Sequence, residues 1–454
     1  MGELIDHTKL HRTAKYFMDS GRAETPEKAV ALLRGFSLSV VVAPSIVECD
    51  AEQIALLSLV NTARRTFLGG VEVAGLPETP LRVPLASAST LKDAVVELGG
   101  KVVNAANPRL PTALIGEPEL CADSAPTWRL AWSGWRGGVV PASMAPLAPR
   151  RPGMPIAPAL AAAVCAAEAF AYHAGDHPMA GHRSSGLSLW APGRDWLLDD
   201  PTEVAIAYLP SRLWLIGLGN LGQAFAWLLA CLPFCDAAKV ELMLQDIDSL
   251  APSNDSTSLL SSCAAVGIKK TRFLADWLET RGFAPAIEER RFGEWTRRAP
   301  HEPCVALCGV DNALARLALD KAGFDLVVEA GLGAGPGAFR SFALHTFPSS
   351  LNPRRLWSNF LATGATGSSS MPAYDALRAR GMDACGLAQL ASRTVGVPFV
   401  GLTAAALMMA ELLRRLHGGD AVEVLSGSLL SLEDMEVVTM TGAPYAYGHV
   451  PAAR

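Results

Sequence analysis

The sequence lacks any excess of positive charge. Its 454 residues include 39 Lys and Arg against 44 Asp and Glu, which gives a net charge of −5 at neutral pH. Proteins that bind nucleic acids or anionic membranes by electrostatic attraction carry basic surfaces. The composition therefore predicts a protein that binds neither nucleic acid nor a membrane.

Paired cysteines and an export signal are also missing. The nine cysteines are scattered over the chain, whereas a disulfide scaffold concentrates an even number of them in a short sequence. Residues 1–7 include acidic side chains where a signal peptide has a basic region followed by an apolar run. We therefore expect reduced thiols and a cytoplasmic location.

Charged residues are scarce as well. They make up 18% of the chain, while 50% of the residues are hydrophobic, a balance that supplies ample core and argues against long disordered tracts. The length fits two or three domains. A stretch rich in Gly, His, Ser and Pro, residues 174–192, predicts a boundary between a first domain, 1–192, and a second domain, 193–454.

Both domains alternate short apolar strands with helical patterns, which is typical of a mostly parallel sheet covered by helices. We therefore predict an α/β protein made of two Rossmann-like nucleotide folds. The predicted elements of the first domain are a helical region over 6–33, strands over 38–43 and 70–74, and a helix over 50–67; those of the second are strands over 213–216 and 240–244 and a helix over 223–229.

The turn after the first strand differs between the two domains. In the first domain it is residues 43–46, Ala-Pro-Ser-Ile, which contain no glycine, so we expect a degenerate fold that does not hold phosphate. In the second domain, Gly217, Gly219 and Gly222 follow a strand and open a helix. Glycines let the backbone turn tightly and approach a ligand, and the helix N-terminus favours negative charge. The second fold is therefore predicted to be the active one.

An acidic residue follows the next strand of the second domain. Asp246 comes 29 residues after Gly217, where an acidic side chain commonly accepts the ribose hydroxyls of a nucleotide. The glycine turn and this carboxylate together suit NAD or FAD as well as ATP. An NAD-dependent Rossmann oxidoreductase is therefore one open alternative.

A series of short motifs continues along the second domain. They are, in order, Asp246-x-Asp248, Ser253-Asn254, Gly267-x-x-Lys270, and Asp311-Asn312 followed by Arg316. Over about residues 213–419, the order and spacing of this series resemble the ThiF/MoeB/HesA adenylyltransferases and the activating enzymes of ubiquitin-like proteins. An oxidoreductase would require none of Asn254, Lys270 or Asp311.

The resemblance implies ATP and Mg²⁺ as cofactors and assigns roles to the motif residues. The glycine turn and Lys270 would stabilise phosphates, Asp246 would hold the ribose, Asn254 would orient the triphosphate, and Asp311 would place Mg²⁺. The implied nucleotide-binding set is Gly217, Gly219, Asn220, Gly222, Asp246, Asp248, Asn254 and Lys270, and the implied catalytic set is Lys270, Asp311 and Cys385.

Cys385 is identified through its position in the resembling segment. In the family a cysteine before a Gly-rich turn and a long helix often accepts the activated acyl group, and here Cys385 precedes such a turn, residues 396–401. A crossover loop is implied over about residues 346–390. The chain has no Cys-x-x-Cys pair, so the structural zinc of many relatives is not expected.

One position departs from the family pattern. Three residues beyond Asn254, where relatives usually carry an arginine, this chain has Thr257. In relatives another arginine comes from the partner half. We therefore expect Arg12 or Arg22, in the first predicted helical region, to reach across to the nucleotide.

The reading implied by the resemblance is a single-chain enzyme that activates the C-terminal glycine of a ubiquitin-like protein by adenylation and then forms a thioester. Its partners would be that protein and a conjugating enzyme, and the chain would be a monomer or a homodimer. Besides the oxidoreductase, a small-molecule or peptide adenylyltransferase and a non-catalytic ThiF-like scaffold subunit remain open.

Overall fold

The computed structural model describes residues 9–118, 125–145, 147, 153–350, 370–441 and 444–453. The described chain forms two large β-sheets, one in each half, and a small two-stranded sheet. The elements of the first half are, in order, α1 (Ala14–Asp19), α2 (Pro26–Arg34), β1 (Ser37–Val42), α3 (Asp50–Ala63), β2 (Gly70–Ala74), α4 (Leu91–Glu97), β3 (Lys101–Val103), β4 (Thr112–Ile115), β5 (Thr127–Ser133), β6 (Arg136–Pro141), α5 (Ala157–Ala174) and β7 (Ser185–Ser188).

The second half continues with a longer series. Its elements are β8 (Tyr208–Pro210), β9 (Arg212–Ile216), α6 (Asn220–Cys231), β10 (Glu241–Gln245), α7 (Lys270–Glu279), β11 (Ala286–Glu288), β12 (Val305–Cys308), α8 (Ala313–Ala318), β13 (Leu326–Leu332), β14 (Ser341–Phe347), α9 (Pro372–Ala379), α10 (Ala384–Ser392), α11 (Pro398–Leu416), β15 (Ala421–Ser428), β16 (Ser431–Met440) and β17 (His449–Pro451). The boundary predicted after residue 192 falls between β7 and β8.

The two large sheets share one topology. The first has the strand order β3-β2-β1-β4-β5-β6-β7 and the second β11-β10-β9-β12-β13-β14-β15-β16. The first five strands of each order pair in parallel, and the later ones pair antiparallel. The parallel part has the 3-2-1-4-5 order of a Rossmann-like fold. The prediction of an α/β protein with two such folds is confirmed.

Apolar sequence determines which elements lie in the interior. The parallel strands β1 and β12 are nearly continuous apolar runs because both of their faces are covered. Helices α5 and α11 pack against each other, α5 also against α3, and α11 also against α6. These helices join the two halves through one continuous apolar cluster. Helix α5 is long and apolar enough to cross a membrane, yet 83% of it is buried inside the protein.

The predicted helical region over 6–33 is interrupted where the structure describes it. Two short helices, α1 and α2, are separated by a turn in which Gly21 has φ of 73°, a value that side chains other than glycine rarely adopt. Helix α2 begins as predicted, because the Thr25 side chain accepts a hydrogen bond from Lys28 N and Pro26 occupies the first helical position.

Candidate nucleotide site

The glycine turn lies where the second sheet reverses its strand order. Strand β9 ends at Ile216 between β10 and β12, and open α/β sheets bind ligands at such a point. Gly217 has φ of 83°, and a Cβ atom on Gly222 would lie 2.3 Å from the Gly217 carbonyl oxygen. A Cβ atom on Gly219 would meet no atom within 4 Å. Gly217 and Gly222 are thus required by the backbone, whereas Gly219 faces open space at the start of α6.

Two carboxylates border this turn. Asp246 accepts hydrogen bonds from Leu218 N at 2.7 Å and from Asp248 N at 2.8 Å. Lys270, the first residue of α7, places its Nζ atom 2.9 Å from Asp248 Oδ2 and 3.6 Å from Asp246 Oδ2. The structure therefore brings Asp246, Asp248 and Lys270 together beside the glycine turn.

Two asparagines of the implied set take part in backbone contacts. Asn254 Oδ1 accepts a hydrogen bond from Ala251 N at 2.8 Å, which holds the short turn after Leu250. Asn220 Nδ2 donates to the Val397 carbonyl at 3.1 Å. Because Val397 immediately precedes α11, the side chain of Asn220 braces α6 against α11, and we place it as a support of the site.

Arg12 reaches the second half. Its backbone N donates to Ser256 Oγ at 3.1 Å, and its Nε atom donates to the Thr394 carbonyl at 2.8 Å. Burial, reinforced by the nearby charge of Arg393, lowers the pKa of Arg12 to about 10, while the negative charge of Asp311 acts in the opposite direction. Arg12 is therefore close enough to Arg393 and Asp311 for their charges to act on it.

Arg12 also lies next to the position where the family arginine is missing. A Cβ atom on Gly396 would be 2.7 Å from Thr257 Cγ2 and 3.7 Å from Arg12 Cβ. The side chains of Thr257 and Arg12 thus flank the same glycine. The Arg12 side chain therefore starts beside Thr257, and its guanidinium binds Thr394.

Arg22 makes different contacts from those of Arg12. Its Nη1 atom donates to the Ala174 carbonyl at 2.8 Å and is paired with Asp176 Oδ1 at 2.8 Å, and its guanidinium lies over the Tyr16 ring. These contacts hold Arg22 at the C-terminal end of α5. Of the two arginines expected to cross over, only Arg12 meets the nucleotide-site residues.

The loop after β12 carries Asp311. The Asp311 side chain is exposed, and Asn312 caps α8 by accepting a hydrogen bond from Leu314 N at 2.9 Å. Arg316 Nε donates to the Val310 carbonyl at 2.9 Å and lies 3.5 Å from the buried carboxylate of Glu329. Sequence reasoning missed Glu329, whose only signal is an acidic residue inside the apolar strand β13.

Cys385 lies in the first turn of α10. Its side chain is exposed, and Asp383 caps the helix by accepting a hydrogen bond from Gly386 N at 2.7 Å. The residues after α10, Arg393 and Thr394, are those that meet Arg12. Residues 351–369 of the predicted crossover loop, 346–390, lie outside the described residues.

The corresponding corner of the first half contains a carboxylate. Glu52, in the first turn of α3, is buried and accepts a hydrogen bond from Ser45 Oγ at 2.8 Å. Burial raises the pKa of Glu52. A Cβ atom on Gly116, just after β4, would be 3.1 Å from Glu52 Oε1. A carboxylate at this corner disfavours a phosphate, which agrees with the degenerate turn.

The chain is an E1-like protein with two Rossmann-like halves, of which the second carries a glycine turn and the first does not. Family models for the BilD N-terminal domain and the BilD C-terminal domain match residues 37–189 and 209–419. A bacterial E1-like protein BilD from Collimonas sp. (strain OK412) is 57% identical over 452 residues, which cover 100% of this chain and 98% of that protein. The chain belongs to the BilD family.

Solved structures of E. coli MccB are more distant. The MccB crystal structure matches with a TM-score of 0.34 and 13% identity over 52% of this chain and 63% of that chain. MccB with ATP gives 0.34 and 11% over 52% and 65%, and MccB with MccA-N7isoASN gives 0.34 and 13% over 51% and 64%. The match thus spans less than two thirds of each MccB chain.

Proposed function

We propose that the chain activates the C-terminal glycine of a ubiquitin-like protein with ATP at the nucleotide site of the second half, and then holds it as a thioester on Cys385. The observation that carries the proposal is that the glycine turn, Asp246, Lys270 and Asp311 lie at one edge of the second sheet. Arg12 binds the neighbouring segment through Ser256. The E1-like description of the BilD relative supports the same class of reaction.

The turn and the start of α6 are suited to phosphate. Backbone N–H groups at a helix N-terminus attract anions, and α6 begins at Asn220 with no acidic residue in its first turn. Asp246, held by Leu218 N and Asp248 N, presents its carboxylate to ribose hydroxyls. Lys270 is paired with Asp246 and Asp248. When ATP binds, it can exchange these carboxylates for a phosphate.

The adenylation step requires charge neutralisation more than acid–base chemistry. A carboxylate oxygen of the partner's C-terminal glycine attacks the α-phosphorus of ATP, the bond to the bridging oxygen breaks, and pyrophosphate leaves. Arg12 and Lys270 stabilise the negative charge that develops on the phosphate oxygens. Mg²⁺, when bound, screens the same charge, and Asp311 is the exposed carboxylate that would hold it together with nucleotide oxygens.

The second step moves the acyl group to Cys385. The thiolate attacks the carbonyl carbon of the acyl-adenylate, a thioester forms, and AMP leaves. Helix α10 separates Cys385 from Arg393 by eight residues, which is about 12 Å of helix at 1.5 Å per residue. Transfer from the Arg12 side of the site to Cys385 therefore requires the partner's tail or the α10 segment to move.

The proposal is tested by exchange of labelled pyrophosphate into ATP. We expect exchange that depends on Mg²⁺ and on a small protein ending in glycine, and no exchange with the same protein lacking that glycine. Asp311→Ala should abolish exchange, whereas Asp320→Ala, which removes an exposed acid just beyond α8, should not. Full exchange by Asp311→Ala would contradict the proposal.

Three alternatives predict different outcomes. A small-molecule or peptide adenylyltransferase would exchange pyrophosphate without a ubiquitin-like partner. An NAD-dependent oxidoreductase would bind NAD tightly and ATP not at all, and it would use neither Lys270 nor Asp311. A scaffold subunit would bind the partner without exchange, but the position of the Arg12 side chain, which flanks Gly396 together with Thr257, favours an active site.

A further inference from the structure

The segment that precedes Lys270 is held from the first half of the chain by one arginine. Residues 253–261 form a 3-10 turn followed by irregular chain, and they include Ser253 and Asn254 of the nucleotide motif. Arg65 lies just beyond the end of α3 and is 3% exposed. Its guanidinium projects across the boundary between the halves into this segment.

Most of the hydrogen-bonding capacity of Arg65 is used on that segment. Nη1 donates to the Asp255 carbonyl at 2.6 Å and to the Ser261 carbonyl at 2.9 Å, and Nη2 donates to the Leu259 carbonyl. Nε donates to Asn61 Oδ1 at 3.2 Å. A planar guanidinium with fixed donors can hold three carbonyl groups in one geometry, which a lysine cannot do.

Neighbouring residues also bind residues 253–261, and we call these contacts together with those of Arg65 the clamp. Asn61 Nδ2 donates to the Leu259 carbonyl at 3.0 Å. The Arg64 guanidinium binds the Asp255 carboxylate through both of its oxygens, at 3.2 and 3.4 Å. From the opposite side, Gln223 of α6 accepts hydrogen bonds from Leu260 N and Ser261 N. The segment is thus fixed between the first half and the helix that follows the glycine turn.

We propose that Arg65 is a positioning residue for ATP: the degenerate half uses it to hold residues 253–261 in the shape that places Asn254 at the triphosphate. This inference rests on the proposed function, because it assumes that ATP binds beside Asn254. It assigns the first half a role that does not depend on nucleotide binding by that half. Loss of Arg65 removes the side-chain donor to the Asp255 and Ser261 carbonyls and one of the two donors to the Leu259 carbonyl, so the segment relaxes.

The matched control is a second arginine, partly buried, that also crosses between the halves. Arg183 is paired with Glu168 and donates to the Leu430 carbonyl at 2.8 Å. Leu430 lies in the turn between β15 and β16, which are the fourth and fifth strands from β9 in the sheet order. Arg183→Ala therefore removes a similar cross-half arginine without touching residues 253–261.

The test uses the full-length protein and two measurements. In hydrogen–deuterium exchange, Arg65→Ala should speed exchange in peptides covering residues 253–261, and Arg183→Ala should not. In Mg·ATP titrations, Arg65→Ala should bind about tenfold more weakly than the wild type, and Arg183→Ala should bind as the wild type does. Arg65→Lys, which keeps the charge, should show a smaller loss of ATP affinity. It replaces Arg65→Ala as the test variant if Arg65→Ala does not fold.

The outcomes separate this inference from the proposed function. Equal ATP affinity for the wild type and the Arg65 variants, or equal weakening by the Arg65 and Arg183 variants, would overturn the inference alone. Faster exchange at residues 253–261 with unchanged ATP affinity would also overturn it, because Arg65 would then only stabilise the fold. Failure of the wild-type protein to bind Mg·ATP would overturn the proposed function and the inference together.

Discussion

The Nε atom of Arg12 lies 2.8 Å from the carbonyl oxygen of Thr394, a residue 382 positions further along the chain. This bond ties the segment before α1 to the linker between α10 and α11. Because Thr394 follows α10, which carries Cys385, and the backbone N of Arg12 donates to Ser256 Oγ, one residue contacts both the segment with the proposed thioester cysteine and the segment of the Ser253-Asn254 motif. The first half therefore contributes directly to the geometry of the second.

Replacing Arg12 should impair ATP use, whereas replacing Arg22 should not. Arg12→Ala removes the arginine whose side chain flanks Gly396 together with Thr257, and loss of one charge-assisted contact to phosphate should raise the KM for ATP about tenfold in pyrophosphate exchange. Arg22→Ala removes an arginine from the same N-terminal region that is paired with Asp176 at the end of α5. Equal KM values for the two variants would remove Arg12 from the site.

Two glycine substitutions in the phosphate turn should have different effects. A Cβ atom on Gly222 overlaps the Gly217 carbonyl, so Gly222→Ala should destabilise the fold by about 2 kcal/mol. The Cβ atom of Gly219→Ala enters open space, so stability should change by less than about 0.5 kcal/mol while ATP binding weakens. Thermal unfolding and ATP titration distinguish the two. Normal ATP binding by Gly219→Ala would show that the ligand does not enter this space.

Cys385→Ala should separate the two chemical steps. Adenylation needs no thiol, so pyrophosphate exchange should persist, while the adduct with the partner that reductant cleaves should disappear from a non-reducing gel. Cys235→Ala, which removes another exposed cysteine, should retain both the pyrophosphate exchange and the adduct. An adduct that survives in Cys385→Ala would assign the step to a different cysteine.

His11 should make the fold less stable in mild acid. Burial lowers the pKa of His11 from 6.5 to about 4, so the unfolded chain binds its proton first as pH falls. The stabilisation is present above about pH 6.5 and is lost as pH falls towards 4, by up to about 3 kcal/mol. His11→Leu should flatten the slope of unfolding free energy against pH in this window. A variant of the exposed His301 should retain the wild-type slope, and an unchanged slope in His11→Leu would contradict the prediction.

Local sequence patterns predicted much of the fold. Some features depend only on neighbours within a few residues and can be recognised from the sequence alone. They are the apolar runs of strand length, the helix N-cap at Thr25 and the glycines at 217, 219 and 222. The same patterns predicted two Rossmann-like halves and the order of motifs in the second. The proximity of Asp246 and Lys270 has a similar reason, because Asp246 follows β10 and Lys270 begins the crossover helix α7, which starts at the edge of the sheet where the parallel strands end.

Other features required the tertiary structure. Arg12 and Arg22 lie ten residues apart and carry the same group, yet packing directs one to Thr394 and the other to Asp176. The clamp of Arg65 on residues 253–261 has no sequence signal, since an arginine at the end of a helix usually faces solvent.

The sequence by itself thus determined the strands, the turns and the glycine-rich motif, because these depend on backbone conformation and short-range periodicity. Only the tertiary structure decided which side chains of the first half contact the second half, because contacts between residues 190 and 382 positions apart, such as Arg65 with Asp255 and Arg12 with Thr394, arise from how the helices between the two sheets pack.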